Sequence, residues 1–127
     1  MDTQRVQLKY LVLAIVSTTS VVILTHIPQE TLGVDLGTFG LDKIIHLGAY
    51  SVISLFSFLA IHPGKRYLGW LIVLSMLFLL AAADEITQPY FGRTCSFYDF
   101  LADGIGIVSV LINLFYYRQS HPLDIEA

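Results

Sequence analysis

The chain has 127 residues, of which 55% are hydrophobic and only 13% are charged, and its mean hydropathy is +0.70. This composition is far from that of a soluble globular domain and indicates that lipid is the solvent. The formal net charge of −3 says little about partners by itself, but the sequence has no basic stripe that would suggest a nucleic-acid partner. The single cysteine, Cys95, excludes an intrachain disulfide.

Four apolar stretches follow one another along the chain, and each is close to the roughly 17–25 residues that a helix needs to cross a bilayer. They cover about residues 8–27, 44–61, 67–83 and 100–117. The sequence therefore predicts an all-α membrane protein, a single domain over residues 1–127 built as a four-transmembrane-helix bundle. The first stretch lacks a small-x-small cleavage site, so we expect a retained anchor and not a signal sequence.

The basic residues predict the orientation of the bundle. Five of the seven lysines and arginines flank span ends that would share one side of the membrane, namely Arg5, Lys9, Lys65, Arg66 and Arg118. By the positive-inside rule this side is cytoplasmic, so both termini are expected to be cytoplasmic. The short connection "HPGKR" makes the second and third spans antiparallel neighbours. The two longer connections, on the outward side, carry apolar and aromatic residues typical of a membrane interface.

Polar and ionisable residues gather at the outward ends of three predicted spans. The second span begins with Asp42, Lys43, His46 and Tyr50, the third ends with Asp84, Glu85 and Gln88 followed by Arg93, and the fourth begins with Asp99 and Asp103. Spacings of i, i+4 place residues of one span on one stripe of a helix. A charge at the centre of a membrane helix costs roughly 2.5–3.5 kcal/mol. Several such groups on three helices therefore predict a shared polar pocket.

Each of these residues taken alone also has a purely structural interpretation. Asp42 and Asp99 lie near helix N-termini, where a carboxylate interacts favourably with the helix dipole. A lone His46 is more often a hydrogen-bonded packing residue than a ligand, and Tyr50 is more often an interface aromatic. The combination of these residues at one depth is what favours a site.

Three residues further along the fourth span are expected to serve helix packing. Gly104 and Gly106 would permit the close approach of a neighbouring helix. Asn113, much deeper, is expected to bridge two helices by a hydrogen bond.

The charges of the predicted pocket do not balance. Its five carboxylates face only Lys43 and Arg93, a formal charge of −3 with His46 neutral. Such a cluster must hold protons on some carboxylates, bind a cation, or bury the two basic residues as counter-ions, because like charges that lie close together oppose ionisation.

Three motifs, "DKIIHLGAY", "DEITQPYFGR" and "DFLADGIG", resemble in this order the VanZ-like family of small bacterial membrane proteins. They span residues 42 to about 106, roughly half the chain, and the chain departs from the family pattern at Asp103, where asparagine is expected. The resemblance implies a multi-pass protein of the bacterial cytoplasmic (inner) membrane, from a family associated with low-level resistance to the glycopeptide antibiotic teicoplanin. It implies no particular reaction.

The first functional hypothesis is an outward-facing pocket that binds an anionic cell-envelope lipid or a lipid-linked cell-wall precursor and, in a stronger form, modifies it. His46 would act as general base or acid, oriented by Asp42 or a neighbour, and Glu85 or Asp84 as the complementary group. Arg93 and Lys43 would contact phosphate or carboxylate. The remaining substrate-binding residues would be Asp42, Tyr50, Gln88, Asp99 and Asp103.

Two alternatives stay open. His46 and nearby carboxylates could hold a divalent cation that activates water, as in a metal-dependent membrane hydrolase, although Asp-x3-His is a weak signal and assigns no ligand set. In the other alternative the protein is not an enzyme, and the polar cluster is a structural network between helices. The sequence leaves enzymatic activity, cofactor and oligomeric state undecided.

Overall fold

The structure, a computed structural model, describes residues 7–33, 40–61 and 67–120. About 90% of these residues are helical and none of them forms a strand. The helices are α1 (Leu8–Thr25), the short α2 (Gln29–Leu32), α3 (Leu41–Ile61), α4 (Tyr67–Thr87) and α5 (Phe97–Ser120), and a 3-10 helix, Gln88–Phe91, follows α4. The four long helices are each long and apolar enough to cross a membrane. This confirms the all-helical class and fits a multi-pass membrane protein.

The four long helices alternate in direction. The Gln7 backbone N–H, just before α1, donates to the Ala60 carbonyl near the end of α3 at 2.9 Å, so these helices are antiparallel. Helices α3 and α5 are parallel, because Lys43 and Asp99, each in a first turn, form an ion pair. Helix α3 is central and packs mainly against α5 and α1, while α4 packs against α5 and, to a lesser extent, against its antiparallel neighbour α3. The connection 62–66 lies outside the described residues.

The outer faces of the bundle are apolar. Only 11% of the residues of α1 are buried. Four of its large apolar residues are each more than half exposed, namely Ile15, Val16, Ile23 and Leu24. Large contiguous apolar surfaces are rare on soluble monomers. The exposed faces are therefore suited to contact with lipid.

At the end where the ionisable residues lie, α3, α4 and α5 continue beyond the predicted spans, whereas α1 ends at Thr25, two residues before the predicted end of the first span. Helix α3 begins at Leu41, α4 continues to Thr87 and α5 begins at Phe97. The predicted spans stopped where charges appear, whereas the helical backbone continues through those charges because their side chains find partners on neighbouring helices. The connection before α3 contains the short α2, and residues 34–39 lie outside the described residues.

The two ends of the bundle differ in composition. At the polar end, α1 and α4 terminate and α3 and α5 begin. At the opposite, aromatic end, the Phe58 and Trp70 rings stack with centroids 5.3 Å apart, and Phe115 meets Trp70 edge-on at 6.0 Å. Between the ends lies an apolar core that includes Ile53 and Ile107. This arrangement keeps the polar side chains in one layer.

Small residues set the distance between α3 and α5. A Cβ atom added to Gly106 would lie 2.5 Å from the Leu47 carbonyl oxygen and 3.0 Å from Ser51 Oγ, and one added to Gly104 would lie 3.1 Å from Phe78. The prediction that both glycines permit close packing is therefore confirmed. The prediction for Asn113 is wrong: it is exposed and donates to the Ser109 carbonyl of its own helix at 2.7 Å, which satisfies the amide without a second helix.

Candidate functional site

A buried imidazole, His46, lies at the centre of the polar end. Its Nδ1 atom is 2.9 Å from Asp103 Oδ1, at hydrogen-bonding distance, and 3.7 Å from Glu85 Oε1. On the other side of the ring, Nε2 is 4.0 Å from Asp42 Oδ1. His46 is 1% exposed and Asp103 is fully buried. Helices α3, α4 and α5 therefore each place a carboxylate around one histidine.

Glu85 is held in place by two donors. Gln88 Nε2 donates to Glu85 Oε1 at 3.1 Å, and the Ser96 backbone N–H donates to Oε2 at 2.8 Å. Ser96 also begins α5, since its hydroxyl accepts from the Asp99 N–H at 3.3 Å, as expected of an N-cap residue. The segment between α4 and α5 thereby fixes Glu85 as well as the start of the next helix.

Both basic residues of the predicted pocket are paired with carboxylates. Lys43 Nζ lies 3.1 Å from Asp99 Oδ1, and an Arg93 terminal nitrogen donates to Asp42 Oδ1 at 3.2 Å. The Lys43 side chain is 45% exposed, whereas that of Arg93 is only 8% exposed. These two ion pairs form the rim of the site.

Asp84 faces α1, which sequence reasoning did not include in the site. Thr25 Oγ1 donates to Asp84 Oδ1 at 2.8 Å, and His26 Nδ1 lies 3.6 Å from the same oxygen. His26 Nε2 is 2.8 Å from the Thr87 hydroxyl oxygen. A fourth helix therefore contributes to the polar end, through contacts that hold Asp84 apart from the His46 hydrogen bond.

Four buried side-chain polar atoms have no hydrogen-bond partner among the residues that the structure describes: Tyr50 Oη, Ser54 Oγ, Asp84 Oδ2 and Asp103 Oδ2. A buried polar atom without a partner costs about 1–3 kcal/mol. Two of these atoms, the carboxylate oxygens of Asp84 and Asp103, belong to the site, and they indicate that water, a proton or a ligand completes it.

The carboxylates fall into two groups by charge. Asp42 and Asp99 each face a lysine or arginine at the rim. Among the described residues, the basic groups closest to Asp84, Glu85 and Asp103 are imidazoles, at 3.6, 3.7 and 2.9 Å. The surplus negative charge expected from the sequence is therefore concentrated in the buried part of the site.

Two overlapping groups of side chains could hold a metal ion. We name His46, Glu85 and Asp103 the buried triad, and Asp42, His46 and Asp99 the rim triad. In each triad the potential ligand atoms all lie within 4.8 Å of one another. The two triads share His46, whose two ring nitrogens face different carboxylates.

The structure brings all ten predicted site residues to the polar end. Eight of them contact one another in the network around His46 and the rim. Tyr50 is buried one turn further along α3 than His46, and Asp84 is oriented mainly toward α1. Sequence reasoning missed Thr25, His26 and Ser96. The signal for Thr25 and His26 was available, because two polar residues end the first apolar span at the predicted depth of the pocket. Ser96 precedes Asp99 by three residues, which is a helix-start signature.

Comparison of the chain with protein-family models, with curated proteins and with solved structures finds no match. The resemblance to the VanZ-like family rests on the three sequence motifs.

Proposed function

We propose that this chain is a VanZ-like protein of the bacterial cytoplasmic membrane that binds an anionic envelope lipid or a lipid-linked cell-wall precursor at its polar end. The observation that carries the proposal is the buried His46, hydrogen-bonded to Asp103 beside Glu85 and one turn from the half-exposed Lys43. A polar layer of this kind in a membrane helix bundle is a functional-site candidate, because it is costly to insert. A role in glycopeptide tolerance follows from the proposed family.

The rim is the part of the site that meets a lipid headgroup first. Arg93 uses one terminal nitrogen to contact Asp42. A guanidinium has five N–H donors in a planar fork, so it can hold a carboxylate and a phosphate together. Lys43, with its side chain 45% exposed, supplies a second positive charge at the same end.

In the stronger form of the proposal, the site also modifies the bound headgroup. His46 would give or take a proton, and Glu85, held by Gln88 and Ser96, would be the complementary group. The 1% exposure of His46 means that a headgroup reaches it only after the rim pairs separate. Binding at the rim therefore precedes any chemistry.

Mass spectrometry of lipids that co-purify with the protein tests the binding step. We expect an anionic lipid to be enriched with the wild type and lost with Arg93→Ala. Arg118→Ala is the matched control, because it removes an arginine at the aromatic end, where Arg118 lies 5.2 Å above the Trp70 ring. Equal lipid enrichment in the wild type and Arg93→Ala would contradict the proposal.

Antibiotic tolerance separates a functional pocket from a purely structural network. His46→Gln and Glu85→Gln keep hydrogen-bonding groups in place, so we expect the abundance of the protein in the membrane to stay unchanged. Both substitutions remove a group that can exchange a proton, so we expect them to abolish teicoplanin tolerance. If tolerance falls only in proportion to abundance, the structural alternative is favoured instead.

The orientation of the bundle is part of the proposal and has its own test. Cys95, the single cysteine, is exposed in the segment between the 3-10 helix and α5, at the polar end. A membrane-impermeant maleimide should label it in intact cells from which any outer barrier has been removed. Labelling only after the membrane is opened would place the polar end in the cytoplasm.

A further inference from the structure

We propose that the buried triad, His46, Glu85 and Asp103, binds a divalent transition-metal ion. The three residues come from α3, α4 and α5, and all three are buried. The triad includes His46 and Glu85 of the pocket proposed above, but metal binding can be measured without any lipid, so failure of this proposal and failure of the lipid proposal are distinguishable.

The spacing of the donor atoms suits a metal ion. Metal–ligand bonds of about 2.0–2.2 Å place neighbouring ligand atoms roughly 3 Å apart and opposite ones about 4 Å apart. His46 Nδ1 lies 2.9 Å from Asp103 Oδ1 and 3.7 Å from Glu85 Oε1. Each of the three atoms lies within 4.8 Å of the others. An ion between them requires only small side-chain movements.

The ligands are oriented by further contacts, as metal ligands commonly are. Glu85 accepts from Gln88 Nε2 and from the Ser96 N–H. Asp42 lies on the opposite side of the His46 ring, 4.0 Å from Nε2. At this distance Asp42 forms no direct hydrogen bond to Nε2, so the two Glu85 contacts are the ones that orient a ligand. Binding of the ion would displace the proton shared between His46 Nδ1 and Asp103.

A second observation, the unsatisfied oxygen of a buried carboxylate, points to a ligand. Asp103 is fully buried, and its Oδ2 has no hydrogen-bond partner among the described residues. A metal ion held by both Asp103 oxygens would satisfy Oδ2. The proposed ion thus satisfies an atom that the protein leaves unsatisfied.

The charge balance distinguishes the buried triad from the rim triad. Asp42 and Asp99 of the rim triad are already paired with Arg93 and Lys43. Within 4.0 Å, Glu85 and Asp103 have only His46 as a basic group among the described residues. A divalent cation compensates two carboxylates in the buried triad, whereas in the rim triad it would compete with two existing cations.

The donor set restricts the class of ion. One imidazole nitrogen with carboxylate oxygens suits Mn²⁺, Fe²⁺ or Zn²⁺, whereas Ca²⁺ and Mg²⁺ prefer oxygen ligands alone. If an anionic headgroup also binds here, the ion would supply positive charge to a pocket whose carboxylates otherwise repel it; this consequence alone rests on the proposed function.

Manganese binding to the full chain in detergent is the direct test, with free Mn²⁺ followed by electron paramagnetic resonance and Zn²⁺ used as competitor. We expect the wild type to bind a single Mn²⁺ that Zn²⁺ displaces. Glu85→Gln and Asp103→Asn should weaken binding by more than about 100-fold, beyond the loss typical of groups that only orient a ligand. The absence of binding by folded wild type would overturn the proposal, as would wild-type affinity in Asp103→Asn.

Asp99→Asn is the matched control, because it neutralises a carboxylate of the rim triad and leaves the buried triad intact. We expect its Mn²⁺ affinity to stay within about 10-fold of the wild type. If Asp99→Asn lost Mn²⁺ affinity while Asp103→Asn bound Mn²⁺ normally, the ion would belong to the rim triad and the proposal would be overturned.

A change of metal preference guards against variants that lose binding through misfolding. Asp103→Cys, made in a Cys95→Ser background, places a soft thiolate in the buried triad. We expect it to gain Cd²⁺ affinity and lose Mn²⁺ affinity relative to Cys95→Ser alone, since thiolates select softer ions. If the folded double variant gains no Cd²⁺ affinity, Asp103 is not a ligand and the proposal fails.

Discussion

The two ends of the bundle are held together by different interactions. At the aromatic end, the Phe58, Trp70 and Phe115 rings pack against one another, and Arg118 lies 5.2 Å above the Trp70 ring. At the polar end, packing distances are maintained by hydrogen bonds and ion pairs, and buried carboxylates outnumber the lysine and arginine that reach them.

This difference bears on whether the polar end is only a structural network. A network that merely joins helices would be expected to satisfy its own atoms, because a partly satisfied buried network is worse than an apolar core. The aromatic end shows that this chain can join its helices with apolar side chains. The unpartnered carboxylate oxygens of Asp84 and Asp103, and the excess of carboxylates over basic residues, therefore favour ligand binding as the role of the polar end.

The largest effect that we expect is at the aromatic end. Trp70→Ala should lower the free energy of unfolding by about 3–5 kcal/mol, because it removes a buried indole from between two rings. Chemical or thermal unfolding in detergent measures the loss. Tyr67→Ala, which removes a 70% exposed ring from the same end, is the control and should cost much less. Equal losses would show that the aromatic contacts do not dominate stability there.

Local sequence patterns were sufficient to predict the four helices and the common depth of the site residues. The length of an apolar run predicts a span, and i, i+4 spacing predicts which residues share a stripe. For this reason Asp42, His46 and Tyr50 were correctly expected on one side of α3, close to the residues that α4 and α5 contribute.

The partner of each side chain could not be predicted in this way. His46 was expected to be oriented by Asp42 or a neighbour, and its hydrogen bond is to Asp103 on α5. Asp84 was one of two candidates for the group complementary to His46, and its Oδ1 contacts are to Thr25 and His26 at the end of α1. These pairings depend on how the helices rotate and cross, which is set by close contacts such as that of Gly106 with Leu47.

A second prediction concerns that close contact, which lies between the polar end and the apolar core. Gly106→Ala should destabilise the bundle by about 3 kcal/mol, the upper part of the range for overpacking, because the added methyl meets the Leu47 carbonyl oxygen at 2.5 Å and backbone cannot easily move. Gly48→Ala is the control, since a Cβ there meets nothing within 4 Å, and it should stabilise α3 by up to about 1 kcal/mol. Unfolding in detergent compares the two, and equal values would contradict close packing of α3 on α5.

The smallest effect separates a satisfied hydroxyl at the polar end, that of Thr25, from an unsatisfied one deeper in the bundle, that of Ser54. Thr25→Val keeps the shape of the side chain and removes the donor to Asp84 Oδ1 at 2.8 Å, so we expect a loss of about 1–1.5 kcal/mol in unfolding free energy. Ser54→Ala removes a buried hydroxyl that has no partner among the described residues, so the change should stay within about 0.5 kcal/mol.

Comparison of Thr25→Val with Ser54→Ala shows whether a buried polar atom without a partner among the described residues is bound to water or ligand. Both hydroxyls are buried, at 6% exposure for Thr25 and 0% for Ser54, so burial alone would give the two substitutions similar costs. A loss at Ser54 as large as that at Thr25 would mean that the Ser54 hydroxyl donates to bound water or ligand in the folded protein. Repeating the unfolding measurements with saturating Mn²⁺ distinguishes bound water from a ligand of the buried triad. Only for a hydroxyl coupled to the triad should the loss of unfolding free energy on substitution change when the ion is present.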